Sequence, residues 1–556
     1  MRLVALAMAA ASLVVHAPAR AETAIPPRDY ADTTDLSQPV HSRIVRHTLM
    51  LPMSDGERLY VEVTRPADPG TYGVVMEISP YHVDRASRAG GTIAGGLVNY
   101  FPPRGYAVVV VDVRGTGNSE GCMDYLGARD RQDFHDVVEW AGTQPWSNGN
   151  VGIIGVSYVG STPILAAASR PEHLRTIVPI AGIAQMYDHE FQAGVPYFLQ
   201  WVGAAGTYDL QFGTRPPTNT RTDGWLANVA NGPCGLTNAA LSTGTDYTSG
   251  RYGAWHAARD FRADAIAADV PVFLMQGHHD GSVRPIAMEW FTHRDHPGDK
   301  LWFGQWGHQP SDRGAQWTGA LHRWFDRHLL ERSVDTGPPV EVFYYPTDFI
   351  VGTADRWPVA TSAITLYPAS DGTLASAPVP TGTASYGANA AGGGQIGAPS
   401  IWSTARPPTR AVFVTEPFAQ EIILTGFPRV TVSERIFGQR IDLIASLYAV
   451  ADNMPPVLLT QAAMNPELRN GLTTVTPLTP GEALTLRPPA WPINHIVQQG
   501  SRLQLVIASA HDDKVPVFAG PGVVEVLLGG QDPTRIEIDV LDDAALFPDP
   551  IYTSGD

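Results

Sequence analysis

Lysine is almost missing from this chain: Lys300 and Lys514 are the only two in 556 residues. Schiff-base chemistry or a Ser-Lys pair therefore has almost no candidates. Cysteine is equally scarce. Cys122 and Cys234 are the only two, and neither sits in a Cys-x-x-Cys pattern, so zinc ligation and dithiol redox catalysis lack support. Positive charge is short as well. Lys and Arg total 38 against 55 Asp and Glu, a formal net charge of −17. That balance offers no basic face for nucleic acid and disfavours anionic lipid surfaces. Beyond the first twenty-odd residues there is no apolar run long enough to cross a bilayer.

The N-terminus is the exception. It reads "MRLVALAMAAASLVVHAPARAETA", with Arg2 as a positive start, an apolar stretch over residues 3–15, and Ala19-Arg20-Ala21 as a small-x-small cleavage site before Glu22. This pattern predicts a cleaved secretory signal over residues 1–21 and a periplasmic or secreted mature protein that leaves the membrane. In an oxidising compartment Cys122 and Cys234 become candidates for a disulfide.

Length and texture predict more than one structural unit. Over residues 22–337 short buried strands alternate with helical periodicity. "GVVMEISPY" (73–81), "GYAVVVVDV" (105–113), "NVGIIGV" (150–156), "RTIVPIAG" (175–182), "VPVFLMQGHHD" (270–280) and "KLWFGQWGH" (300–308) read as strands. Residues 130–143 and 319–330 read as helices. That alternation predicts an α/β fold, a parallel sheet covered by helices. Residues 183–269 break the rhythm and read as a cap insertion, dividing the α/β core into residues 22–182 and 270–337. From residue 338 to 556 the chain turns to short β-rich runs such as "RAVFVTEP", "IDLIASLYAV" and "RLQLVIASA", which predict an all-β jelly-roll sandwich. The stretch "GTASYGANAAGGGQIGAPS" (382–400) reads as a flexible surface loop.

Chemistry concentrates in "NVGIIGVSYVGSTP". Ser157 stands between a buried strand and a small-residue helix start, in Gly155-Val156-Ser157-Tyr158-Val159-Gly160. A serine on a sharp strand-to-helix turn is the arrangement of a nucleophile elbow, G-x-S-x-G, although here the second glycine comes one place late. An ordinary loop serine fits those residues equally well. A serine nucleophile needs a base, and the base an orienting carboxylate. Asp280 and His308 each end a predicted strand, in the order Ser, Asp, His. The oxyanion donors would be the backbone N–H of Tyr158 and the phenol of Tyr81 in "SPYH", for which plain packing is the alternative. Trp302, Trp306 and Phe191 are candidates for the wall of an acyl pocket, with core packing as the alternative. Asp188 and Glu190 are candidates to pair with a substrate ammonium. Such a mechanism needs no metal and no organic cofactor.

The combination "SPY", "VDVRGTGNSEG", "QPWSNGNVGIIGVSYVG", "GHHD" and "WGH" resembles the bacterial X-prolyl dipeptidyl-peptidase and cocaine-esterase family of serine hydrolases. In that family the elbow is typically G-x-S-Y-x-G, which accounts for the late glycine. The resemblance implies an α/β-hydrolase fold with a helical cap insertion and a C-terminal jelly-roll. It implies Ser157 as nucleophile, Asp280 as acid, His308 as base, and Tyr81 with Tyr158 as the oxyanion hole. Asp112 and Arg114 of "DVRG" match a motif read as structural. Three activities remain open: an ester or amide hydrolase on small molecules, a dipeptidyl-peptidase releasing Xaa-Pro from peptides, or a non-catalytic protein that binds through its sandwich. A homo-oligomer is left open.

Overall fold

Runs of Val and Ile that bury both faces have to sit inside a sheet covered on both sides, and a computed structural model places them there. It describes residues 29–81, 96–197, 248–308, 314–344, 351–360, 362–388, 409–452, 454–511, 514 and 522–541. The expected signal peptide, Cys234 and all the residues between 197 and 248 lie outside this set.

The strands are β1 (Ile44–Pro52), β2 (Arg58–Pro66), β3 (Tyr72–Ser79), β4 (Tyr106–Asp112), β5 (Ser147–Val156) and β6 (Leu174–Ile180). A two-residue pair, β7 (Phe191–Gln192) and β8 (Val195–Pro196), precedes β9 (Phe273–Gly277), β10 (Lys300–Gly304), β11 (Val340–Phe343) and β12 (Val351–Ala354). Among the described residues ten of these form one sheet in the order β1-β2-β4-β3-β5-β6-β9-β10-β11-β12. It is parallel from β4 through β11 and antiparallel at both ends. The period-2 alternation of β4 shows why it is buried twice. Ala107, Val109 and Val111 join one core cluster, and Val108 and Val110 join the cluster on the opposite face.

The helices are α1 (Leu97–Tyr100), α2 (Ala128–Gly142), α3 (Tyr158–Ser169), α4 (Tyr187–Glu190), α5 (Ala254–Ala257), α6 (Arg262–Ile266), α7 (Glu289–Thr292) and α8 (Gly314–Leu329). Phe134, Val137 and Val138 of α2 and Ile164 to Ala168 of α3 pack in the first cluster, whereas Trp317, Trp324 and Phe325 of α8 pack in the second. This is an α/β-hydrolase sheet with helices on both faces. The described part of the insertion between β6 and β9 carries α4, α5, α6 and the β7–β8 pair.

Two strands beyond residue 338, the expected start of the second unit, extend the first sheet instead: β11 lies parallel to β10 and β12 turns back on it. The sandwich begins with β13 (Ser362–Pro368), β14 (Leu374–Ala375) and β15 (Thr383–Ala388). It continues with β16 (Arg410–Val414), β17 (Ile422–Phe437), β18 (Leu443–Val450), β19 (Val457–Met464), β20 (Ala483–Leu486), β21 (Ile493–Val497), β22 (Arg502–Ala508), β23 (Gly522–Leu527) and β24 (Arg535–Leu541). One sheet is built around the sixteen-residue β17, and the other has the order β16-β22-β18-β19. The start of the Gly/Ala stretch expected to be a loop is strand β15, with Ala384, Tyr386 and Ala388 turned into the core. The two units share a core: Ile423, Ile496 and Leu541 of the sandwich belong to the same apolar cluster as β3 and β5.

Candidate active site

Ser157 joins β5 to α3 with φ 68° and ψ −128°, a conformation that L-residues rarely adopt. The neighbouring glycines explain the spacing. A Cβ on Gly155 would run into the carbonyl of Val159, and one on Gly160 into the carbonyl of Ile180 on β6. The late glycine therefore marks where the first turn of α3 presses on the next strand. The turn is closed by Gly160 N–H and Ser161 N–H donating to the Ser157 carbonyl at 2.8 and 3.0 Å.

Backbone hydrogen bonds then run across the carboxyl edge of the sheet. Ser157 N–H donates to Ile180 O at 2.9 Å, and Ala181 N–H to Met275 O at 3.0 Å. His278 N–H donates to Gly304 O at 2.8 Å, and His279 N–H to Trp306 O at 3.0 Å. Gly277 lies so close to the Gly307 carbonyl that no side chain fits there. The loops after β9 and β10 are thus stitched together, and this brings Asp280 and His308 into contact: His308 Nδ1 is 2.8 Å from Asp280 Oδ2. Asp280 Oδ1 accepts from the N–H groups of Ser282 and Val283 at 2.8 and 2.9 Å. The buried carboxylate has both oxygens committed. His308 remains 33% exposed. With Nδ1 engaged, Nε2 is the ring nitrogen left for proton transfer.

The Tyr158 phenol turns away from the sheet edge to Asp130 Oδ2, 3.2 Å away, while its backbone opens α3. Tyr81 follows β3, the neighbour of β5, and its N–H donates to Ser79 Oγ at 3.1 Å. Asp112 and Arg114 hold the Gly-rich turn. Asp112 Oδ2 accepts from Asn118 N–H, and Arg114 grips Asp133 through Nε and Nη2 at 2.7 and 3.0 Å. Cys122 is disulfide-bonded.

The residues expected to line a substrate pocket fall elsewhere. Trp302 is 1% exposed, and its indole N–H donates to Glu341 Oε2 at 2.6 Å, so it belongs to the core beneath α8 rather than to a pocket wall. Trp306, 6% exposed, packs against Phe343 in the same cluster. Phe191 is stacked on Tyr187 and buried. Glu190 is buried against His256, with Oε2 3.0 Å from Nε2. Their types suit a pocket, but the burial of these elements turns them inward. Asp188 keeps partial exposure; Gln185 donates to it and Arg262 lies 3.9 Å away. Burial pushes its carboxyl up to about 6. His189, which sequence reasoning passes over, lies within electrostatic reach of His308 and of Arg284. Burial pushes the His189 imidazole of α4 down to about 3, with Arg284 and His308 adding to the shift. No local pattern singles out either His189 or Arg284.

The model of the family described as X-Pro dipeptidyl-peptidase (S15 family) matches residues 55–310, and that of the X-Pro dipeptidyl-peptidase C-terminal non-catalytic domain matches residues 333–537, in the same order. The chain belongs to the X-Pro dipeptidyl-peptidase and cocaine-esterase family of serine hydrolases. A Streptomyces avermitilis relative named "Putative Xaa-Pro dipeptidyl-peptidase" is 28% identical over 88% of this chain and 82% of its own length. The cocaine esterase of a Rhodococcus species is 27% identical over 58% of this chain and 61% of the esterase. A solved α-amino acid ester hydrolase shares the fold across 96% of this chain and 100% of its own, with a TM-score of 0.73 at 20% identity.

Proposed function

We propose that this family member is an exported hydrolase of ester or amide acyl bonds, with Ser157 as nucleophile, His308 as general base and Asp280 as the carboxylate that orients it. The observation that carries the reading is a serine held in a strained strand-to-helix turn on the same sheet edge as a histidine fixed by a buried carboxylate. Ser157 Oγ attacks the carbonyl carbon as His308 Nε2 takes its proton. The tetrahedral oxyanion is held by the Tyr158 N–H and the Tyr81 O–H. The bond to the leaving alcohol or amine breaks as His308 returns the proton to it. Water, activated by His308, then releases the acid from the acyl-enzyme.

The second reading is a dipeptidyl-peptidase that releases N-terminal Xaa-Pro, favoured by the description of the matching family model. It needs a carboxylate for the substrate ammonium. Glu190 is engaged by His256, which leaves Asp188 as the candidate of the two. Export is supported by the disulfide at Cys122. N-terminal sequencing of the periplasmic or secreted protein tests it, with a start near Glu22 expected.

The deciding assay compares the purified protein with Ser157→Ala on p-nitrophenyl butyrate and on alanyl-prolyl-p-nitroanilide. The expected result is a loss on the order of 10⁴- to 10⁶-fold in kcat. Cleavage of the anilide only when its amine is free would establish the dipeptidyl-peptidase. Ester hydrolysis surviving in the variant would remove Ser157 from the mechanism.

A further inference from the structure

Residues 124–126 form an expensive piece of backbone. Tyr125 and Leu126 are consecutive non-glycine residues in the left-handed region, with φ 52° and 62°. Two side chains hold them there. Arg259, in the insertion between α5 and α6, donates from Nη2 to the Asp124 carbonyl and to Asp124 Oδ1 at 2.9 and 3.0 Å, and from Nε to the Tyr125 carbonyl at 3.2 Å. Its guanidinium lies 4.4 Å over the Trp255 ring, and its own carbonyl accepts from Met186 N–H, so it is fixed to both described parts of the insertion. Asp130 Oδ2 in turn accepts from Leu126 N–H at 2.8 Å. The same oxygen accepts from the phenol of Tyr158 at 3.2 Å.

We propose that Asp130 is a positioning residue that couples the cap to the oxyanion donor of the elbow. The proposal rests on the Ser157 reading above. Tyr158 follows the nucleophile directly, so its backbone N–H and its phenol belong to one residue. A shift of Arg259 moves the 124–126 loop, the loop shares an acceptor with the phenol, and the phenol fixes the residue whose N–H faces the developing oxyanion. Chains of packed side chains and hydrogen bonds are one physical route by which such coupling is carried. The surroundings of Asp130 make the acceptor sensitive to its neighbours. It is fully buried beside Asp124 and Asp133, with Tyr158 against it and Tyr125 beside Tyr158, Arg114 and Arg129 on Asp133, and Arg259 on Asp124. Burial, with Asp124 next, pushes its carboxyl up to about 7.

The test is a double-mutant cycle on the full-length protein with p-nitrophenyl butyrate. Tyr158→Phe removes one oxygen and keeps the ring. Arg259→Ala removes the clamp, and Arg259→Lys is the milder variant should the alanine fail to fold. Each single variant is expected to lower kcat by roughly 3- to 30-fold with KM within about twofold. The double variant is expected to be no slower than the slower single, because both cut the same chain. Losses that multiply, an unchanged kcat in Tyr158→Phe, or losses carried by KM would overturn the proposal. Fluorophosphonate labelling keeps the two readings apart. An unlabelled Ser157 in the parent protein sinks the nucleophile assignment, whereas a labelled Ser157 with multiplying losses sinks only the link to the cap.

Discussion

Asp280 shows how much a single side chain decides. Its Oδ1 is held by two backbone N–H groups and its Oδ2 by His308. An amide in its place would keep the shape but present a donor where the Nδ1 proton needs an acceptor. Asp280→Asn is therefore expected to leave the melting temperature nearly unchanged and to lower kcat on the order of 10⁴-fold; an active Asn variant would show that the carboxylate serves only the loop. The places of Ser157, Asp280 and His308 at the carboxyl ends of strands were legible because each follows an apolar run that reads as a strand. The pocket residues were not. An aromatic or acidic residue announces its type but not the face it will occupy, and Trp302 and Glu190 are drawn inward by Glu341 and His256, partners 39 and 66 positions away in the sequence.

Among the elements, the β5–α3 turn leaves no room for a side chain at either of its glycines. Gly160→Ala would drive a methyl group into the Ile180 carbonyl, and neither a strand backbone nor the first helical turn can yield much. A cost of about 1–3 kcal/mol in thermal or urea unfolding is expected, with a larger fall in acyl-enzyme burst than the stability loss accounts for. An alanine variant with full burst would show that the elbow tolerates displacement. The strands of the hydrolase sheet were readable because apolar runs of five to eight residues between turn formers have few other homes. Strands β11 and β12 were not, since pairing with β10 is a tertiary choice rather than a local one. Strand β15 was hidden by composition: Ala384 and Ala388 are small enough to look like a linker, yet small residues fit the crowded space beside β23.

At the scale of the whole molecule, the junction between hydrolase and sandwich is rich in neutral imidazoles. His278 Nε2 lies 2.9 Å from the Leu459 carbonyl of β19, and His279 and His495 lie close by. Burial pushes His278 and His495 down to about 3 and lowers His279 as well. A lowered folded pKa means that the unfolded chain takes up protons first. The contribution of these groups is thus complete above pH 6.5 and is lost as pH falls toward 3. Each of the two deeply buried rings would cost about 2 kcal/mol of stability between pH 6.5 and 5. Melting temperature is expected to fall steeply through that window in the parent and less steeply in His278→Gln; identical slopes would rule the junction out as the acid-labile part. His278 stands two residues before Asp280, in the loop stitched to that of His308. The sandwich is consequently a splint for the candidate site, and a nick that let the two halves drift apart is expected to yield two inert fragments rather than a smaller working hydrolase.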